Sequence, residues 1–319
     1  MNQNDDDAAL ETCTMTKMRN TAGTRGQQLG TLAIKGLLRW TAPWPNAWRS
    51  YCGGWLGLLA MAAVPKTRRV VDINLEIAFP DWSAAQRRQL RRRNFQELGR
   101  TALELGPIWA RPLPKALEMV RKVEGAETVD QALALGRGVI LFTAHLGPWE
   151  AAVLYTGQRW PITGMYRALR NPGMDALMRR GRERSGARQL NKERGIRPLC
   201  RLLRKKEVVG ILTDQNVDPR EGVFAPFFAY PACTTPVLGR LAARDRVPVF
   251  GMFAYRLPQG SGFRIEFVPL PDSFPSGDAV ADATTMNACM ETAIRKAPEQ
   301  YWWVHRRFKD QPAPRERPY

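Results

Sequence analysis

Short apolar runs alternate with amphipathic segments through the second half of the chain, and that alternation limits the folds open to it. "VILFT" (139–143), "PITGMY" (161–166), "VVGILT" (208–213), "VPVFGMFAYR" (247–256) and "FRIEFVPL" (263–270) have strand length and are rich in β-branched or aromatic residues. Between them lie helix-like segments at 129–138, 171–184, 195–207, 234–245 and 282–298. Each has a boundary signal, such as Asn171-Pro172 at one start and Pro298 at one end. Strand–helix alternation predicts an α/β fold with a mostly parallel central sheet flanked by helices.

The first half reads differently. Residues 1–28 are polar, open with an acidic patch at Asp5–Asp7, and lack the basic start and apolar run of a signal peptide, so a disordered tail is expected. Residues 29–65 are rich in Trp, Leu, Ala and Gly and are expected to form an N-terminal membrane-associated helical segment. Its least polar part, Ser50 to Pro65, is shorter than the roughly 20 apolar residues a span needs, and it is interrupted by glycines. Trp40, Trp44, Trp48 and Trp55 suit a headgroup interface. A segment lying on or dipping into the membrane is favoured over a single tilted span or a buried helix. Ser83 and Gln86 form a capping box that starts a helix whose first half carries five arginines. Residues 66–312 are expected to form the main domain and 313–319 a tail.

The chain has 319 residues and a net charge of +18, which favours anionic partners: acidic lipid, phosphorylated substrate, acidic protein or nucleic acid. No helix-turn-helix, RNA-binding or zinc motif is present, so nucleic acid is set aside. Five cysteines without C-x-x-C spacing and two histidines argue against a zinc site and for reduced thiols in the cytosol; no metal or cofactor is expected.

The candidate chemistry centres on "LFTAHLGPWE" (141–150), where a strand ends in His145, a Gly-Pro turn and Glu150. On a continuous helix His145 and Glu150 would point roughly 140° apart. Gly147 as cap and Pro148 as first helical residue would let the carboxylate reach back to the imidazole. Such a pair resembles a catalytic triad without its serine, and no protein nucleophile stands beside it. The missing hydroxyl would then be the substrate's, with His145 as general base in direct acyl transfer. The plain alternative is a turn histidine beside a helix-start carboxylate.

"TAHLGPWE", "GMYRALRNPGMDALMRRGRERSG", "VVGILTDQN", "GVFAPFFAYPACTTP" and "APEQYWWVHRRFKDQP" occur in this order. Together they closely resemble the bacterial lipid A late acyltransferases, the lauroyl/myristoyl transferase family, over about residues 50–312. The resemblance implies a glycerolipid-acyltransferase-like fold at the cytoplasmic face of the inner membrane. It implies acyl transfer from acyl carrier protein to a hydroxyl of a phosphorylated lipid A precursor, with anionic membrane lipid as a further partner. It carries the His-x4-acid motif onto His145 and Glu150, and substrate binding onto Arg167, Arg182, Asp214 and Arg306. Pro148 stands where asparagine is common, and no proline follows Arg167 as it often does in the family. The nearest rival is an acyltransferase of another glycolipid or phospholipid, such as a phosphatidylinositol mannoside, using acyl-CoA. By their surroundings alone, Asp175 and His305 read as structural, and 222–232 as either an acyl-chain groove or a core loop.

Overall fold

The computed structural model describes residues 24–319. Helices come first: α1 (Arg25–Thr41), α2 (Asn46–Ala63), α3 (Pro65–Ala78), α4 (Ala84–Ala110) and the short α5 (Leu113–Leu117). The first 23 residues of the expected tail lie outside the described residues, while Thr24 caps α1 and Arg25–Gln28 are already helical. The Ser83–Gln86 box forms at the start of α4: Ser83 N–H donates to Gln86 Oε1 at 2.8 Å, and Gln86 N–H to Ser83 Oγ at 3.3 Å.

The rest alternates as β1 (Val120–Glu124), α6 (Ala126–Ala134), β2 (Val139–Thr143), α7 (Trp149–Arg159), β3 (Ile162–Tyr166), α8 (Pro172–Glu183), β4 (Arg188–Asn191), α9 (Arg197–Arg204) and β5 (Val208–Leu212). A hairpin, β6 (Val223–Phe227) and β7 (Tyr230–Thr234), precedes α10 (Val237–Asp245), β8 (Val249–Arg256), β9 (Phe263–Pro269) and α11 (Ala279–Lys296). Seven strands form one sheet in the order β1-β9-β8-β2-β5-β3-β4. Strands β8, β2, β5, β3 and β4 run one way; β9 opposes β8, and β1 runs parallel with β9. This is the expected α/β fold with a mostly parallel sheet.

The strand period of two sorts the core into two layers. Ile140, Phe142, Val209, Ile211 and Phe253 face α9, α10 and α11 through Leu203, Leu241 and Met290. Val139, Leu141, Val208, Phe250 and Met252 face α6 and α7 through Val129 and Ala152. Each such side chain, withdrawn from water, contributes about 1.5–3 kcal/mol. The sheet is tied to the helices by a buried cation: Arg256, at the end of β8, bonds Glu104 at 2.5 and 2.6 Å, Thr101 at 2.9 Å, and Glu97, all on α4.

Helix α2 seats on α4 backbone to backbone. A Cβ added to Gly57 would lie 1.8 Å from the Phe95 carbonyl oxygen, and one on Gly99 would lie 2.1 Å from that of Gly53. The opposite face of α2 presents Trp48, Tyr51, Trp55 and Leu59, all exposed. At about 100° per residue these four fall within about 80° of one another. On α1, Leu38 and Thr41 are buried, while Leu29, Leu32, Leu37 and Trp40 are exposed. No helix among the described residues is long and apolar enough to cross a membrane.

Residues 313–319, expected as a tail, fold back onto the domain. The Tyr319 hydroxyl accepts the Phe308 N–H at 3.2 Å and donates to Asn74 Oδ1. Asn74 Nδ2 in turn donates to the carbonyls of Trp303 (2.6 Å) and His305 (2.8 Å).

Candidate active site

Strands β2 and β5 pair in parallel, Thr143 opposite Leu212. Two residues further on, the same register sets His145 beside Asp214 at the carboxyl ends of the strands, where α/β proteins gather their ligands. His145 Nδ1 lies 2.9 Å from Asp214 Oδ1, and the His145 backbone N–H donates to Asp214 Oδ2 at 2.9 Å. The expected His145–Glu150 contact is therefore corrected: the carboxylate on the imidazole is Asp214.

Burial works to raise the Asp214 carboxyl, but the His145 imidazole, its ring and backbone hydrogen bonds, and the Arg307 charge hold it below the ordinary carboxylate range. An ionised Asp214 sets the tautomer, with the proton on Nδ1 and the lone pair on Nε2. The His145 side chain keeps 18% of its surface accessible, against 3% for Asp214. Nε2 makes no hydrogen bond with any described residue and is the ring atom left for a substrate.

The turn before α7 explains why Glu150 goes elsewhere. Gly147 has φ +55°, and a Cβ there would lie 2.4 Å from the Ala254 carbonyl oxygen, so the position needs glycine. Pro148 is the cap and Trp149 the first helical residue, one position later than the sequence suggests. Glu150 then points at α4 and α8. Arg182 Nη2 donates to its Oε1 at 2.6 Å and Arg182 Nε to both oxygens at 3.1 Å. The indoles of Trp149 (3.1 Å) and Trp109 (3.3 Å) add two more N–H bonds. Burial alone would raise the Glu150 carboxyl, but Arg182 and the indole donors bring it below its usual value. Through Trp149 the carboxylate still acts on the histidine, because the Trp149 ring stands 5.1 Å from the imidazole, nearly edge-on.

A C-terminal segment closes the other side. Trp302 N–H donates to the His145 carbonyl at 3.0 Å and Gly147 N–H to that of Gln300 at 2.9 Å. The Trp302 ring lies 6.2 Å from the imidazole and 5.5 Å from Trp149. His305 Nε2 accepts the Asn216 N–H at 3.0 Å, just past Asp214. Burial pushes the His305 imidazole down to about 4, so it stays neutral.

The remaining candidates separate. Arg182 is committed to Glu150 and has little capacity left for a phosphate. Arg167 is exposed beyond β3 and pairs with no described residue. Arg306 is exposed, its guanidinium 5.9 Å from the Tyr319 ring, so the structure does not bring it to the imidazole. The buried neighbour is Arg307, which bonds the Cys233 carbonyl (2.8 Å) and Thr234 Oγ1 (2.7 Å) behind Asp214. Asp175 pairs with no arginine of its own helix; it accepts the Leu169 N–H at 2.9 Å and so closes the loop carrying Arg167. The aromatic stretch 222–232 is the β6–β7 hairpin, with Phe227 and Phe228 in the core. A cavity of about 550 Å³ lies instead between α11 and β8–β9, lined by Phe253, Leu270 and Cys289 among others.

A parallel α/β sheet that ends in a carboxylate-bound histidine with one free nitrogen is a framework for general-base group transfer. The chain belongs to the bacterial lipid A biosynthesis acyltransferase family, whose family model matches residues 24–310, and it is an acyltransferase. It is similar to the lipid A biosynthesis lauroyltransferase of Escherichia coli K12, 34% identical over 85% of this chain and 87% of the relative. The palmitoleoyltransferase of the same organism is 32% identical over 82% and 85%, and its myristoyltransferase 25% identical over 84% and 90%.

Proposed function

We propose that this acyltransferase moves a fatty acyl chain from the thioester of acyl carrier protein to a hydroxyl of a phosphorylated lipid A precursor. His145 Nε2 takes the proton of the acceptor hydroxyl as its oxygen attacks the thioester carbonyl. The tetrahedral intermediate collapses to the ester, and the departing thiolate recovers the proton from the imidazolium. Asp214 holds the tautomer and balances the imidazolium charge. Glu150 serves the same centre as a positioning residue: with Arg182 it fixes Trp149 against the imidazole. The observation that carries this reading is the His145–Asp214 pair, with Nδ1 held by the carboxylate and the ring still partly accessible.

The exposed faces of α1 and α2 support the setting. An apolar stripe of Trp, Tyr and Leu flanked by Lys35, Arg39 and Lys66 suits a helix lying in the headgroup region of an anionic leaflet. We place the enzyme there, on the cytoplasmic face of the inner membrane, where acceptor lipid and carrier protein meet.

Mass spectrometry of lipid A tests the function, using cells that lack this chain and are complemented with wild type or His145→Ala. Loss of one acyl chain, restored by wild type alone, is expected, and the mass difference identifies the acyl group. Unchanged lipid A in deleted cells sinks the proposal and turns attention to other glycolipids.

A further inference from the structure

The carboxyl edge of the sheet continues past the catalytic pair as a row of cations. Met165 pairs with Ile211 and Tyr166 with Asn191. One residue further along each strand, Arg167 follows β3 and Lys192 follows β4. With strands about 4.8 Å apart, Arg167 sits about 10 Å from His145 and Lys192 about 15 Å. Arg170 lies on the same loop as Arg167, and Arg194, Arg197 and Arg201 carry the row over the loop into α9. All six are exposed, and none is ion-paired or hydrogen-bonded through its side chain to a described residue. In the exposed stretches 167–170 and 192–201 the one acidic residue is Glu193, and the one large exposed hydrophobic is Leu169.

That composition distinguishes this surface from the first. The cations of the first surface, such as Lys35, Arg39 and Lys66, lie on or beside helices that also expose Leu37, Trp40 and Val64, the mixture a lipid interface selects. The row from Arg167 to Arg201 has charge without aromatics, which suits a water-soluble acidic surface that must dissociate after each turnover. We infer that the β3–α8 loop, the β4–α9 loop and the exposed face of α9 form the docking surface for the acidic acyl carrier protein. This rests on the reading above that a carrier thioester is the donor. The row meets the first surface at Asn171, which bonds the Gln27 carbonyl (3.3 Å) and the Thr31 hydroxyl (3.4 Å) of α1, so donor and acceptor would converge on His145 where the two surfaces join.

Arg194→Glu/Arg197→Glu tests the surface in the full chain, since neither residue touches the catalytic pair. Holo-carrier protein without an acyl chain and free 4′-phosphopantetheine are compared as competitive inhibitors of wild type and variant. In the variant, the inhibition constant of the carrier should rise about tenfold or more, with that of phosphopantetheine, KM for the lipid acceptor and kcat unchanged. Higher salt should weaken carrier binding in wild type and much less in the variant. Equal weakening of carrier and phosphopantetheine would assign the row to the phosphate of the arm and overturn protein docking. A rise in acceptor KM alone would assign it to the lipid phosphate, and unchanged constants throughout would leave no role for it. If wild-type enzyme transfers the acyl group from acyl-coenzyme A but not from acyl carrier protein, the donor assignment itself fails, a result visible before any variant is made.

Discussion

Replacing Asp214 with asparagine changes one atom type and should disable the base. Asp214 accepts two N–H groups of the same residue, the imidazole Nδ1–H and the backbone N–H of His145, each at 2.9 Å. Asparagine keeps the shape but has one oxygen. With that oxygen on the backbone N–H, its NH₂ faces Nδ1, which must then accept, and the ring proton moves to Nε2. Nε2 can no longer take a proton from the acceptor hydroxyl. The flipped amide would oppose NH₂ to the backbone N–H in a buried place, at a cost of about 1–3 kcal/mol. General-base catalysis contributes about 10²–10⁴-fold, and the imidazolium also loses its counter-charge. We expect kcat to fall by about 10³–10⁴, a barrier increase of about 4–5.5 kcal/mol. The assay is transfer of a radiolabelled acyl group from carrier protein to a phosphorylated lipid A precursor in mixed micelles, with circular dichroism to confirm folding. A folded Asp214→Asn enzyme within tenfold of wild type would refute the reasoning. So would a Glu150→Gln enzyme that loses more, because it would return the orienting role to Glu150.

Three further outcomes follow from packing and charge. Glu150→Ala strands the buried Arg182 cation and should cost about 3–5 kcal/mol in urea unfolding, with Glu150→Ala/Arg182→Met less damaging than the single change; a single-variant loss below about 1 kcal/mol would contradict the buried pair. His305 is held neutral by burial, with its ring down to about 4 against an ordinary 6.5. Its contribution is fully present above about pH 6.5 and is lost as pH falls to about 4, because the unfolded chain takes up the proton first. The loss should be about 3 kcal/mol and should flatten in His305→Gln, as measured by chemical denaturation across that range. Trp48→Ser/Trp55→Ser should lower partitioning onto anionic vesicles about tenfold or more in sedimentation, and equal binding by both proteins would exclude this face as the contact.

The strands legible in the sequence are those with a continuous or alternating apolar pattern: β2, β5 and β8 as buried runs, β9 by its alternation. "VILFT" spans the whole of β2, and "VVGILT" overruns β5 by one residue. Strand β1, "VRKVE", and β4, "RQLN", escape notice because they are sheet edges, where charge guards against further pairing and erases the apolar run. The β6–β7 hairpin is hidden by its prolines, which argue against a strand. Pro226 and Pro231 face each other in a two-stranded ribbon, where the missing N–H groups can point outward. His145 and Asp214 are both recognisable as strand-end residues, but their partnership is not. His145 and Asp214 meet because β5 lies next to β2, and strand order is not written in local periodicity. Nearness in sequence suggests that Glu150 meets the imidazole, whereas its partners Trp109 and Arg182 arrive from α4 and α8.

The sheet order also sets a timetable. Strand β1 is made early but pairs with β9, and β2 is flanked by β5 and β8, both made later. During synthesis at about 5–20 residues per second, β1 waits about 7–30 s for its partner strand to emerge. Helices α1, α2 and α4 are complete by residue 110, and their close contacts, Gly53 and Gly57 against the Phe95–Arg100 stretch and Gly106 against Leu38 and Thr41, lie wholly within that part of the chain. All three helices are thus synthesised before β2. His145 is therefore made about 70 residues before its carboxylate partner Asp214, and the 300–302 segment that packs on it comes later still.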